Sequence, residues 1–126
     1  MDTSALVKLV VAEAETTALQ AWLAESDRVP VSSDLSRTEL LRAVRRAVPD
    51  RMVRAREVLD GITLLEITTA VCEVAARLEP AVLRALDAVH LATALDLGDD
   101  LDAIVTYDDR LAAAARSNGL AVIAPA

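Results

Sequence analysis

Residues 102–116 read DAIVTYDDRLAAAAR. The first half is a short apolar run, residues 103–107, rich in the β-branched types that favour a strand. The second half, from Arg110 on, is alanine-rich and made of strong helix formers. Between them stand two acids, Asp108 and Asp109. A strand that passes directly into a helix is the building unit of a layered α/β fold. Acids just past the carboxyl end of such a strand lie where open α/β sheets collect their ligands. Two readings of the pair stand side by side: a turn with a helix cap, or part of a site assembled from distant segments.

Working outward, three more strand-like runs occur at residues 29–32, 62–67 and 120–123. Helical periodicity fills the intervals at 4–13, 16–24, 37–48, 51–59, 70–78, 86–97 and 110–117, with Pro49 and Asp50 marking one break and restart. The alternation predicts an α/β fold with a central, mostly parallel sheet flanked by helices. The strand runs do not alternate apolar with polar residues, which predicts cover on both faces. With 126 residues, 54% of them hydrophobic, the chain suffices for one domain over residues 1–126. There is no Phe, one Trp and one Tyr, so the core must come from Leu, Val, Ile and Ala, and Trp22 reads as part of it. A lone cysteine, Cys72, cannot form an intramolecular disulfide, which predicts a reducing compartment and a packing role in its helix. No run approaches the roughly 18 apolar residues of a membrane span, and the start lacks the basic-then-apolar order of a signal peptide. A cytoplasmic protein without membrane partners is expected.

The net charge of −7 argues against nonspecific binding to nucleic acid. Its distribution is uneven. Arg37, Arg42, Arg45, Arg46, Arg51, Arg54 and Arg56 lie within twenty residues that contain only two acids, Glu39 and Asp50. An acidic protein carries one basic stripe, either a solvated helix face or a binding surface.

Four acids are candidates for a shared site. Asp2 opens the chain in MDTSALVKL, Glu39 lies in the first turn after the strand run VPVSS, Asp87 opens LDAVHLATA, and Asp108 follows AIVTY. Each has a purely structural explanation. Asp2, Thr3 or Ser4 can cap the first helix, and Glu39 completes a capping-box spacing with Ser36. Asp87 suits a helix N-terminus, and Asp108 with Asp109 suits a turn. Asp87 stands out because its helix is apolar almost all round, and a buried carboxylate requires a partner, for which His90 is one candidate. Carboxylates brought together repel unless a cation compensates. Mg²⁺ or Mn²⁺ is the natural choice, since no Cys/His pattern points to zinc.

These motifs together resemble those of PIN-domain ribonucleases, specifically the VapC toxins of VapBC toxin–antitoxin pairs. DTSALVKL resembles the first acidic motif of that family, SSDLSRTELLRA the second, LRALDAVHLATAL the third and DAIVTYDDRLAAAAR the fourth, in order and across the whole chain. The resemblance implies a PIN-like sheet of about five strands and a Mg²⁺- or Mn²⁺-dependent endoribonuclease. It assigns Asp2, Glu39, Asp87 and Asp108 as the acids, with Asp109 the competitor for the fourth place. Asp2, Asp87 and Asp108 are then metal ligands and Glu39 a ligand or water-orienting base. Ser4 and Thr106 are supporting polar neighbours, and Arg42, Arg45 and Arg46 are candidates to hold RNA phosphates. It also implies a VapB-type antitoxin partner, whose C-terminal segment lies over the site, and a homodimer within that assembly. The first helical pair, with Trp22, is a candidate for the remaining antitoxin groove or a dimer face.

One departure is visible. Only Met1 precedes Asp2, where the family carries a few apolar residues as the central first strand, so that strand is expected to be truncated, with a natural start upstream. A phosphoacceptor signalling domain is a rival with an acidic Mg²⁺ pocket, but it places a lysine after its last strand, and the only lysine here is Lys8. A noncatalytic module that keeps the fold is the second rival.

Overall fold

The computed structural model describes all of residues 1–126. In chain order the elements are α1 (Thr3–Val10), α2 (Thr16–Ala24), β1 (Val31–Ser33), α3 (Leu35–Ala47), α4 (Met52–Asp60), β2 (Thr63–Leu65), α5 (Thr69–Arg77), α6 (Ala85–Asp96), β3 (Ile104–Val105), α7 (Asp109–Ser117) and β4 (Val122–Ile123). Every helix lies where periodicity predicts one, and the ends move for local reasons. α1 stops at Val10, and Thr16 organises the turn that follows: its hydroxyl accepts the Glu13 N–H and donates to Lys8 O. α3 starts at Leu35 because the Ser33 hydroxyl accepts the Leu35 N–H at 3.2 Å. Ser36 therefore lies inside the helix, fully buried against the Ser32 hydroxyl at 2.6 Å, and the expected capping box with Glu39 does not form.

The sheet differs from expectation. Instead of about five strands in one sheet, four strands of two or three residues form two separate parallel pairs, β1 with β2 and β3 with β4. Val31 pairs with Thr63 and Ser33 with Leu65, while Ile104 pairs with Val122 and Val105 with Ile123. Between the pairs stand Met1 and Asp2. The Met1 amino group donates to Val31 O at 2.8 Å, and the Asp2 N–H donates to Val105 O at 3.2 Å. The Ser32 hydroxyl adds a bond to Met1 O at 2.6 Å. These two residues link the inner edges of β1 and β3. They do not form a strand, because a ladder needs successive extended residues and α1 begins at Thr3. A cavity of about 410 Å³ lies alongside them, lined from β1 by Ser32 and from β3 by Val105, with His90 of α6 in its wall.

Two hydrophobic clusters flank this centre. Leu6 and Val10 of α1 pack with Leu40 and Val44 of α3 and with Ala55, Val58 and Leu59 of α4. On the other side Leu91 and Ala94 of α6 pack with Ile104 and with Leu111, Ala114 and Ala115 of α7. Ala5, Leu19 and Val105 form a third group, where α1, α2 and β3 meet. Burial of each leucine removes apolar surface worth about 1.5–3 kcal/mol, which is how short helices with no aromatic residue in the three clusters' buried sets hold together. β1 and β3 are largely buried, whereas the outer strands β2 and β4 are half-exposed, so cover on both faces holds only for the inner strands.

One single-residue expectation fails and one holds in part, since Trp22 packs against the cluster of Ala5, Leu19 and Val105. Cys72 is exposed, because Val71 is the buried position of α5 and the adjacent residue points away. Trp22 is only partly buried; the Arg28 guanidinium lies 4.1 Å from the ring centroid and donates to Trp22 O at 2.7 Å. No helix is long and apolar enough to cross a membrane.

Candidate active site

Asp2 is both the cap of α1 and the most deeply held acid. Its Oδ1 accepts the Ala5 N–H at 3.2 Å and the Ser4 hydroxyl at 2.7 Å, and its Oδ2 accepts the Thr106 hydroxyl at 2.8 Å. Both hydroxyls pass the connection on. Ser4 Oγ accepts the Tyr107 N–H at 2.9 Å and Thr106 Oγ1 accepts the Asp108 N–H at 3.1 Å. The start of the chain is thereby bonded to the turn that follows β3, and Asp2 is brought to Asp108. Burial pushes the neighbouring Met1 ammonium below its ordinary pKa, and the Asp2 charge opposes that shift.

Glu39 reaches the same region from the first turns of α3. Its Oε1 accepts the Thr3 hydroxyl at 2.8 Å and meets His90 Nε2 at 2.5 Å. A carboxylate can only accept, so Nε2 carries the proton in this pair. Burial raises the Glu39 carboxyl, but the hydrogen bonds from His90 and Thr3, with the charges of His90 and Arg84, outweigh it and leave the pKa below its ordinary value. His90 Nδ1 is buried and meets no partner. His90 thus serves Glu39, not Asp87 as the sequence allowed.

Asp87 and Asp108 meet through a third residue. Arg84 Nε donates to Asp87 Oδ2 at 3.1 Å, and Arg84 Nη2 lies 3.6 Å from Asp108 Oδ2. Asp108 Oδ1 caps α7, accepting the N–H groups of Arg110 and Leu111 at 2.9 and 3.3 Å. Asp109 is exposed in the first turn of α7 and makes no ion pair, so Asp108 is the acid that faces the cluster. Asp87 lies in the first turn of α6 and is not sealed in the core: its side chain is 15% exposed.

Three carboxylates from separate segments are thus connected by shared partners, Asp2 to Asp108 through Thr106 and Asp87 to Asp108 through Arg84, while Glu39 is held separately by Thr3 and His90 and feels the Arg84 charge. No three acidic or imidazole groups stand close enough to enclose an ion. Their chemistry nevertheless suits a hard cation: all donors are oxygen, and Glu39 Oε2 and Asp87 Oδ1 carry no hydrogen bond. The Arg84 guanidinium is the cation that bridges two of its carboxylates. Away from the cluster, Arg42, Arg45 and Arg46 are exposed on α3 without ion pairs, whereas Arg37 and Arg54 pair with Asp34 and Glu57. Arg42 and Arg46 follow Glu39 at i+3 and i+7 and continue its face of the helix.

Three partnerships in this network escaped the sequence reading: Arg84 with the acids, and Thr3 and His90 with Glu39. Arg84 was legible, since i and i+3 share a helix face. Thr3 lies 36 residues from Glu39 and His90 lies 51 residues from it, separations for which no local pattern exists.

Comparison with known proteins bears on the family and the fold. A profile of the PIN domain matches residues 1–117. The ribonuclease VapC47 of Mycobacterium tuberculosis is 45% identical over 129 residues, spanning 99% of this chain and 95% of that protein. Ribonuclease VapC46 of the same species is 44% identical over 125 residues, again spanning 99% and 95%. In fold, the crystal structure of M. tuberculosis VapC20, a sarcin-ricin loop cleaving toxin, superposes with a TM-score of 0.77 at 17% identity, covering 98% of this chain and 97% of that one. A toxin–antitoxin complex from Klebsiella pneumoniae gives a TM-score of 0.75 at 20% identity, covering 99% and 95%. With the profile spanning nearly the whole sequence and full-length relatives above 40% identity, this chain belongs to the PIN-domain family, with VapC-type proteins as its relatives.

Proposed function

We propose that this protein is a Mg²⁺- or Mn²⁺-dependent endoribonuclease of the VapC type, which hydrolyses RNA phosphodiester bonds and inhibits growth until a VapB-type antitoxin neutralises it. The observation that carries the reading is the connection of Asp2, Asp108 and Asp87 through Thr106 and Arg84, with Glu39 held beside them by Thr3 and His90 and lowered in pKa in part by the Arg84 charge. The naming of full-length relatives as ribonucleases supports it independently. Asp2, Asp87 and Asp108 would hold the divalent ion. Such an ion would lower the pKa of a bound water, so that hydroxide is available at neutral pH, and would offset charge on the phosphate.

The residues of the chain do the rest. Ser4 and Thr106 fix both oxygens of Asp2, so that this ligand pays no reordering cost at the moment of binding. Glu39 stays ionised because its pKa is lowered, and its free Oε2 is available to hold the ion or orient the water. Arg42, Arg45 and Arg46 hold RNA phosphates along α3, giving affinity to a site that is otherwise negative. The antitoxin covers the acids and offers them a basic side chain, and the toxin acts as a homodimer in that assembly. The exposed free thiol of Cys72 fits a reducing cytoplasm.

The test is cleavage of total RNA by antitoxin-free protein with Mg²⁺ or Mn²⁺, with excess chelator, and with Asp87→Asn protein shown to be folded by circular dichroism. Discrete fragments that require metal and vanish in the variant are the expected result. No cleavage by folded wild-type protein with either metal overturns the enzyme and leaves a noncatalytic binding module.

A further inference from the structure

Arg84 occupies a position that helix energetics disfavour. It is the N-cap of α6, with extended backbone and no side-chain capping bond, and it sets a fixed positive charge against the positive end of the helix dipole. Its side chain turns to the acids instead. One guanidinium spans Asp87 Oδ2 on α6 and Asp108 Oδ2 beyond β3, at 3.1 and 3.6 Å, and its charge also acts on Glu39. The members differ in freedom: the Arg84 side chain is 65% exposed, those of Asp87 and Asp108 only 15% and 28%. The carboxylates are the less exposed partners, and the guanidinium is the piece that can leave. Its N–H groups point at lone pairs that any hard cation bound between these acids would use.

We propose that Arg84 is a resident counter-cation: it holds Asp87 and Asp108 together in the metal-free protein, and a divalent ion must displace its guanidinium from those carboxylates in order to bind. The inference rests on the metal-binding reading of the site above. Arg84 is then a positioning residue with two opposite effects. It prevents two like charges from separating, and it competes for their oxygens. The exchange sets the metal concentration at which the site loads.

The experiment is titration of Mn²⁺ into wild-type, Arg84→Gln and Arg84→Lys proteins, all antitoxin-free, following the free Mn²⁺ signal by electron paramagnetic resonance. Loss of an exposed ion pair frees the carboxylates, so Arg84→Gln is expected to bind Mn²⁺ about fivefold more tightly than wild type. Arg84→Lys, which keeps the charge, is expected to stay near the wild-type affinity. The Mn²⁺ concentration for half-maximal RNA cleavage should fall in Arg84→Gln by the same factor. Equal or weaker Mn²⁺ binding by Arg84→Gln overturns the exchange and leaves the metal site standing. Absence of Mn²⁺ binding in all three proteins overturns the metal reading itself, and the exchange with it.

Discussion

Asp2 caps α1 and Asp87 lies in the first turn of α6, and both belong to the same cluster, yet they are held in contrasting ways. Asp2 is 5% exposed and takes three neutral donors, two hydroxyls and one backbone N–H. Asp87 takes a single charged donor from a residue that is mostly in solvent. Neutral hydrogen bonds in a buried setting are short-ranged and insensitive to salt, whereas an exposed ion pair is weak, screened and easily exchanged. One end of the site is built into the fold, and the other end is adjustable. That division suits the proposed site, which would have to keep its geometry and still admit a cation.

The largest expected effect comes from Thr106→Val, which strips Asp2 Oδ2 of its donor in the interior and also leaves the Asp108 N–H without its acceptor. A loss of about 3 kcal/mol is expected in urea denaturation, together with most activity. A loss below about 1 kcal/mol would erase the distinction between the two ends.

Next is Glu39, which lies between the extremes. Its lowered pKa means that its ionised form stabilises the fold at pH values above the ordinary carboxylate range, and that this contribution disappears as pH falls through the lowered value. Denaturation of wild-type and Glu39→Gln proteins from pH 7 to pH 3 should show a gap of about 1–2 kcal/mol at the upper end that closes at the lower end. A gap that widens on acidification has the wrong sign for this network.

Asp87→Asn is expected to change stability by no more than about 1 kcal/mol, an effect that fades in about 1 M salt, while abolishing cleavage. If its stability cost matched that of Thr106→Val and persisted in salt, Asp87 would be as rigidly held as Asp2. The smallest structural effect is expected from Arg42, Arg45 and Arg46 changed together to Gln, since they are exposed and unpaired. Stability should stay within about 0.5 kcal/mol, while the salt dependence of RNA affinity weakens by about two in logarithmic slope. An unchanged slope would return this stripe to a solvated surface.

Much of this architecture was legible in advance. Helical spacing located α1 through α7, because a helix is stabilised by contacts three and four residues apart, which sequence displays directly. The four acids were legible as residues near strand ends and helix starts. The sheet was less so. Apolar runs at residues 29–32 and 62–67 announced strands, but only backbone pairing decides strand number, and with Met1 and Asp2 alone between β1 and β3 two pairs form in place of one sheet. Ser36 illustrates the opposite error. Its spacing to Glu39 satisfies a capping box, yet Ser33 takes over the start of α3 and frees Glu39 for Thr3 and His90.

The sequence by itself determined the helices and the leucine, valine and alanine core, and it singled out the four candidate acids, since these follow from local periodicity and side-chain chemistry. Only the tertiary structure decided who holds each acid: Thr106 for Asp2, His90 and Thr3 for Glu39, and Arg84 for the pair Asp87 and Asp108. The reason is physical. A carboxylate accepts from whichever donor folding brings within about 3 Å, and that distance is set by packing of segments as far apart in sequence as residues 2 and 106.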